Sequence, residues 1–201
     1  MSTININRSN KLRDISNLMV FVAAVVVGTL LVNAFVFRSY SVVGISMEDT
    51  LDNGERIIVN RLPHTWSQIK NTDYMPKRGQ VIVFQNSGSN SGPNEKNKYL
   101  VKRVIAFAGE RVVIENGTIT VYNNDNPDGF SPDQGIKDQP RSPVAGDLDT
   151  VVPAKTIFVV GDHRDGNNSF DSRNGLGTVP IYNIVGPVVL RWWPITKLRS
   201  F

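Results

Sequence analysis

Three places in this sequence carry side chains suited to acyl-transfer chemistry. The first is Ser46, set in Val42-Val43-Gly44-Ile45-Ser46-Met47-Glu48-Asp49-Thr50-Leu51. A serine hydroxyl attacks a carbonyl only when a neighbouring group takes its proton. Gly44 permits a sharp turn, or a close approach by a bound chain, without a Cβ penalty. The second is Lys102, a cation inside the run Lys98-Tyr99-Leu100-Val101-Lys102-Arg103-Val104-Ile105-Ala106. Period-two alternation puts it on one face with Leu100, Val104 and Ala106. On an edge strand such a lysine points to water. In a buried position desolvation disfavours the ammonium and leaves a neutral amine that can act as a base. The third is the polar loop from Gly161 to Arg173, directly after the apolar run Thr156-Ile157-Phe158-Val159-Val160. Taken singly, Ser46 reads as a turn residue and the loop as a surface segment with an Asp–Arg pair.

Composition narrows the alternatives. Cysteine is absent, which excludes disulfides, thiolate nucleophiles and cysteine zinc sites. His64 and His163 are the only imidazoles and lie far apart, so the sequence calls for no metal. The net charge of +4 is spread along the chain, with no basic run interleaved with aromatics. Nucleic acid is therefore not an expected partner.

The elements that must position these residues begin with a membrane anchor. Ile15 to Phe37 is 23 residues without a charge. As a helix it would span roughly 35 Å, enough to cross the hydrocarbon layer of a bilayer. A cleaved signal peptide is the rival reading, but Arg38-Ser39-Tyr40-Ser41 makes a poor cleavage site. Arg8, Lys11 and Arg13 precede the run and only Arg38 follows closely. The positive-inside rule then puts residues 1–14 in the cytoplasm, an anchor at 15–37, and residues 38–201 outside the plasma membrane.

The rest reads as short strands. Arg56 to Asn60, Gln80 to Phe84, Lys98 to Ala106, Thr156 to Val160 and Ile184 to Arg191 are apolar runs bounded by turn signals. Asn116-Gly117 between Arg111–Glu115 and Thr118–Tyr122 predicts a two-residue hairpin turn. Pro63 to Pro76 reads as irregular and 86–97 as a flexible Gly/Ser/Asn-rich loop. Residues 123–149 read as a polar insertion. No long amphipathic helix follows residue 38, so the expected fold is mainly β: one transmembrane helix and then an all-β domain.

In this order, behind an anchor, the three places resemble the bacterial type I signal peptidases. These are membrane-bound serine proteases that remove signal peptides from exported proteins. Ser46-Met47-Glu48-Asp49-Thr50-Leu51 resembles the family's Ser-Met-x-Pro-Thr-Leu nucleophile box. Tyr99 to Glu110 resembles its lysine box, and Gly161 to Arg173 its Gly-Asp-Asn-Arg…Ser-x-Asp-Ser-Arg box. Arg78-Gly79-Gln80-Val81-Ile82-Val83-Phe84 matches the strand between the first two. The likeness runs from Val42 to Val189.

The resemblance implies a Ser/Lys dyad without a cofactor. Ser46 would attack the scissile carbonyl and Lys102 would take its proton, with the Ser46 backbone N–H in the oxyanion hole. Ser169 matches the serine that orients the lysine, and Asp171 and Arg173 match a supporting ion pair. Val42, Val43, Met47 and Val101 would line shallow pockets for small side chains, giving Ala-x-Ala specificity. The implied partners are signal peptides of exported preproteins, the lipid bilayer and the export machinery. Three features depart from the family pattern: Asp49 stands for proline, His163 for asparagine, and two extra residues precede Ser169. His163 also invites a Ser46–His163–Asp triad as an alternative. A catalytically silent peptide-binding protein of the same fold is another.

Overall fold

The computed structural model describes residues 8–87, 98–136, 140 and 143–201. It opens with one long helix, α1 (Arg8–Phe35), of 28 residues. From Lys11 onward α1 is long and apolar enough to cross a membrane, and none of that face packs against protein. A helix that is apolar all round and unburied needs lipid as its solvent. The helix stops two residues before the apolar run does, because Phe37 already opens β1 (Phe37–Ser41).

The remaining described chain is β-rich, as the runs of β-branched residues require. Its strands are β2 (Arg56–Asn60), β3 (Val81–Gln85), β4 (Tyr99–Phe107), β5 (Arg111–Glu115), β6 (Thr118–Asn123) and β7 (Asn126–Phe130). They continue as β8 (Leu148–Val151), β9 (Thr156–Val160), β10 (Val179–Pro180), β11 (Ile184–Trp193) and β12 (Arg199–Ser200). One sheet runs β1-β2-β11-β3-β4-β9-β10, with β12 added on β11. A second runs β7-β6-β5-β8. All pairs are antiparallel. The hairpin between β5 and β6 turns at Asn116 and Gly117, both at positive φ (50° and 75°), as a two-residue turn of the primed type demands.

Two local expectations are corrected, and a third falls on residues outside those described. Pro63 to Pro76 is not wholly irregular: α2 (Leu62–Ile69) fills its first half. α2 is tied to the end of α1, where Arg61 bonds the carbonyls of Ala34 and Val36 and Thr65 Oγ1 donates to Phe35 O at 3.1 Å. The polar insertion at 123–149 contains β7 and the start of β8, so its described part extends the second sheet. The loop at 86–97 lies almost wholly outside the described residues.

Among the described residues the core has three groups. One fills the second sheet and its contact with β4 and β9, around Ile105, Val112, Ile114, Val121 and Phe158. A second gathers Ile82, Phe84, Val104, Ile157 and Ile184. The third, Val42, Met47, Leu51, Ile57, Val59, Val81, Val83 and Val188, lies beneath the Ser46 segment. Leu100 and Val104 share the second group, as alternation predicts, but Ala106 belongs to the first. A register shift between Val104 and Ala106 in the pairing with β9 breaks the alternation there.

Candidate active site

The segment after β1 folds as a tight turn because its backbone finds partners locally. Gly44 N donates to Asn53 Oδ1 at 2.9 Å, Glu48 N to Ile45 O at 3.0 Å, and Leu51 N to Met47 O at 2.7 Å. Gly44 adopts φ 102°, which a side chain would resist. Met47 and Leu51 are the plugs that seat this turn, each within 1% of full burial. Met47 therefore belongs to the core beneath Ser46 and is not among the residues that line the groove beside it. Val43 instead points outward at 88% exposure. Asp49 sits at φ 81°, a conformation the proline ring cannot reach, so the turn here differs from one built on proline.

Lys102 lies on β4 in register with Ile82 and is 3% exposed. Its Nζ donates to Ser46 Oγ at 2.6 Å and to Val101 O at 3.0 Å. Two residues 56 positions apart thus meet at hydrogen-bond distance. A groove of about 560 Å³ opens beside the pair, lined by Tyr40, Val42, Val43, Ser46, Val101 and Lys102 among others. Among the described residues nothing accepts from the Ser46 backbone N–H.

The third segment closes the site from the other side. Asp171 and Arg173 form a buried ion pair at 2.9 Å, and Asp171 Oδ2 also accepts from Gly161 N at 3.0 Å. That bond fixes the end of β9. Next to it, Asp162 is fully buried and takes two bonds from Arg103, at 2.8 and 2.5 Å, while Thr50 Oγ1 donates to it at 2.5 Å. Charge-assisted bonds of this kind hold a buried carboxylate in place. Arg103, beside Lys102, and Thr50, after Ser46, are thereby stapled to the third segment. Sequence reasoning passed over this triangle, although the adjacent polar residues in all three segments were its signal.

Two expectations resolve differently. Ser169 is 1% exposed and lies against Gly161, but among the described residues its Oγ has no hydrogen-bond partner. His163 does not face the Ser46 hydroxyl. Its Nδ1 meets Ile45 O at 3.1 Å and Glu48 Oε2 at 2.9 Å, and its Nε2 meets Asp165 Oδ1 at 2.6 Å. The geometry of a Ser46–His163–Asp triad is absent, since Ser46 Oγ is paired with Lys102 instead.

Known proteins resemble this chain along most of its length. The family model described as "Signal peptidase, peptidase S26" matches residues 13–193. Signal peptidase I P of Bacillus subtilis subsp. natto is 32% identical over 197 residues, covering 93% of this chain and 95% of that protein. Signal peptidase I of Bacillus caldolyticus is 37% identical over 186 residues, covering 88% and 90%. Signal peptidase I T of Bacillus subtilis (strain 168) is 32% identical over 173 residues, covering 85% and 81%. With an N-terminal membrane-length helix, a β-rich domain and a match over nearly its whole length, the chain belongs to the bacterial type I signal peptidase family and is a hydrolase of that family.

Proposed function

We propose that the protein removes signal peptides from exported preproteins, cutting after small residues, with Ser46 as nucleophile and Lys102 as general base. The observation that carries this reading is the 2.6 Å contact between Lys102 Nζ and Ser46 Oγ, at a buried lysine beside an open groove. In the reactive state the neutral amine accepts the hydroxyl proton while Oγ attacks the scissile carbonyl. The Ser46 N–H then faces the developing oxyanion, where one aimed donor is worth about 3 kcal/mol. The ammonium passes its proton to the leaving amine, and water entering by the same route frees the acyl-enzyme. We assign Ser169 to the ammonium: its Oγ is buried and, among the described residues, has no hydrogen-bond partner. Asp171 and Arg173 hold the β9 end on which Ser169 and Gly161 rest.

The groove fits the substrate chemistry. Val42, Val43 and Val101 supply apolar walls next to Ser46. A bound extended chain turns alternate side chains to one wall, so positions two apart meet the same surface. In this reading residues 1–14 lie in the cytoplasm, 15–37 anchor the chain, and 38–201 work outside the plasma membrane, as the basic flank Arg8, Lys11 and Arg13 directs. β1 follows α1 within two residues, so the groove lies close to the membrane surface, where signal peptides arrive. The test is incubation of the purified full chain with a preprotein carrying an Ala-x-Ala site. Wild type is expected to release the mature protein and Ser46→Ala to release none; equal cleavage by the two would refute the assignment.

A further inference from the structure

The turn that carries Ser46 is short, outward-facing and strained. Val43 and Ile45 are 88% and 43% exposed, and Asp49 holds φ 81°. The third segment beside it is rigid. Asp162 is fully buried on Arg103, and Arg164 is 2% exposed with its guanidinium on Asp133. His163 stands between these two fixed residues. Its backbone N–H donates to Ser46 O at 3.2 Å. Its ring adds Nδ1 contacts to Ile45 O at 3.1 Å and to Glu48 Oε2 at 2.9 Å. Both partners of Nδ1 are acceptors, so Nδ1 carries a hydrogen. On the far side of the ring Asp165 Oδ1, also an acceptor, lies 2.6 Å from Nε2, and Asn168 Nδ2 bonds that same Oδ1 at 3.1 Å.

We infer that His163 is a positioning residue, and that its Nδ1–H clamps the nucleophile turn on both sides of Ser46 so that Oγ stays within reach of Lys102. This rests on the reading of Ser46 and Lys102 as the reacting pair. The clamp touches residue 45 and residue 48, which bracket the hydroxyl, and never the hydroxyl itself. Losing it frees the turn to rock about Gly44, while the groove walls that precede Gly44 or lie on β4, Tyr40, Val42, Val43 and Val101, are left as they were. Turnover therefore falls and substrate affinity does not.

Bond topology makes the inference sharp. Nδ1 of histidine lies two bonds from Cβ, as does the amide nitrogen of asparagine. Nε2 lies three bonds from Cβ, as does that of glutamine. Asparagine can replace the clamp on Ile45 and Glu48; glutamine can reproduce only the far-side contact with Asp165.

The experiment measures kcat and KM for wild type, His163→Ala, His163→Asn and His163→Gln on one Ala-x-Ala preprotein. Active sites are counted by end-point labelling with a serine-reactive penem, so misfolded protein drops out of kcat. Loss of one such clamp is expected to lower kcat per site about tenfold in His163→Ala, with KM within about twofold. His163→Asn recovers most of that turnover, and His163→Gln stays with alanine. Unchanged kcat per site in His163→Ala, or rescue by glutamine and not asparagine, overturns the inference. A wild type that neither labels nor cleaves removes the Ser/Lys reading and this inference with it. A labelled, active wild type beside unaffected variants removes this inference alone.

Discussion

Gly161 is the point where the third segment touches the nucleophile most closely. A Cβ built on it would run into Ser46 O and into Ser169 Oγ, far inside van der Waals contact. Gly161 cannot yield, because its N–H is held by Asp171 Oδ2 at 3.0 Å and its carbonyl by Arg164 Nε at 3.3 Å. In Gly161→Ala the Ser46 carbonyl must therefore retreat, by about 1 Å if contact is to become ordinary. Overpacking of this kind costs about 1–3 kcal/mol. In a domain of this size that lowers Tm by about 2–12 °C. The catalytic effect is larger than the thermal one, since a misplacement of about 1 Å costs on the order of 100-fold in rate. The assay is kcat per penem-titrated site on detergent-solubilised full chain, with a thermal melt beside it. Gly186→Ala is the control: its Cβ would meet Asn60 O and Val59 Cγ1 in β2, not Ser46 or Ser169, at φ 155°. That variant is expected to lose stability while each surviving site turns over normally. Wild-type turnover in Gly161→Ala, or a greater per-site loss in Gly186→Ala, would refute the close packing of the third segment on Ser46.

Phe at the first or third position before the cut is expected to block cleavage, and Phe at the second to be tolerated, because Val42, Val43 and Val101 leave shallow walls; competition assays with the three preproteins check this. Protease added outside spheroplasts is expected to digest residues 38–201, whereas digestion only after lysis would reverse the orientation. Burial pushes the Glu110 carboxyl up, but bonds from Arg78, Asn123 and the Phe107 N–H outweigh it and hold the carboxyl below the usual range. The ionised form is thus favoured by folding, so its contribution is full at neutral pH and is lost as pH falls through the lowered value. Glu110→Gln is expected to cost about 1–3 kcal/mol at pH 7, with the gap in thermal melts closing below about pH 4.

The sequence made some elements plain for physical reasons. The charge-free run before Arg38 has one stable environment, and Asn116-Gly117 has one cheap turn. The meeting of Ser46 and Lys102 was legible only through the family likeness, since 56 residues separate them and pairing through β3 is a tertiary fact. α2 escaped because eight residues opening with Leu62-Pro63 give too little periodicity, and because its apolar side chains Leu62, Trp66 and Ile69 are exposed. Which apolar neighbours of Ser46 go inward and which outward was not legible, because inside a turn neither strand nor helix periodicity applies: Met47 is buried and Val43 is exposed. Ala106 was misplaced by a bulge that β-branched composition does not announce. His163 was legible as unusual, but which atoms it faces depends on Glu48 and Asp165, two charges that look like ordinary surface residues in the sequence.

The most direct test of the account is the pH profile of kcat/KM for wild type beside Lys102→Arg. An unperturbed lysine has a pKa of about 10.4 and is almost wholly protonated at pH 8. Lys102, 3% exposed and bonded to Ser46 Oγ, is expected to lose its proton below that value, because burial disfavours the ammonium. The neutral base is the active form, so kcat/KM should rise with pH through the lowered pKa and then level off. Lys102→Arg should be inactive at every pH, since guanidinium keeps its proton. An arginine variant that cleaves normally, or an acid limb that disappears in His163→Asn and stays in Lys102→Arg, would contradict the Ser46–Lys102 dyad.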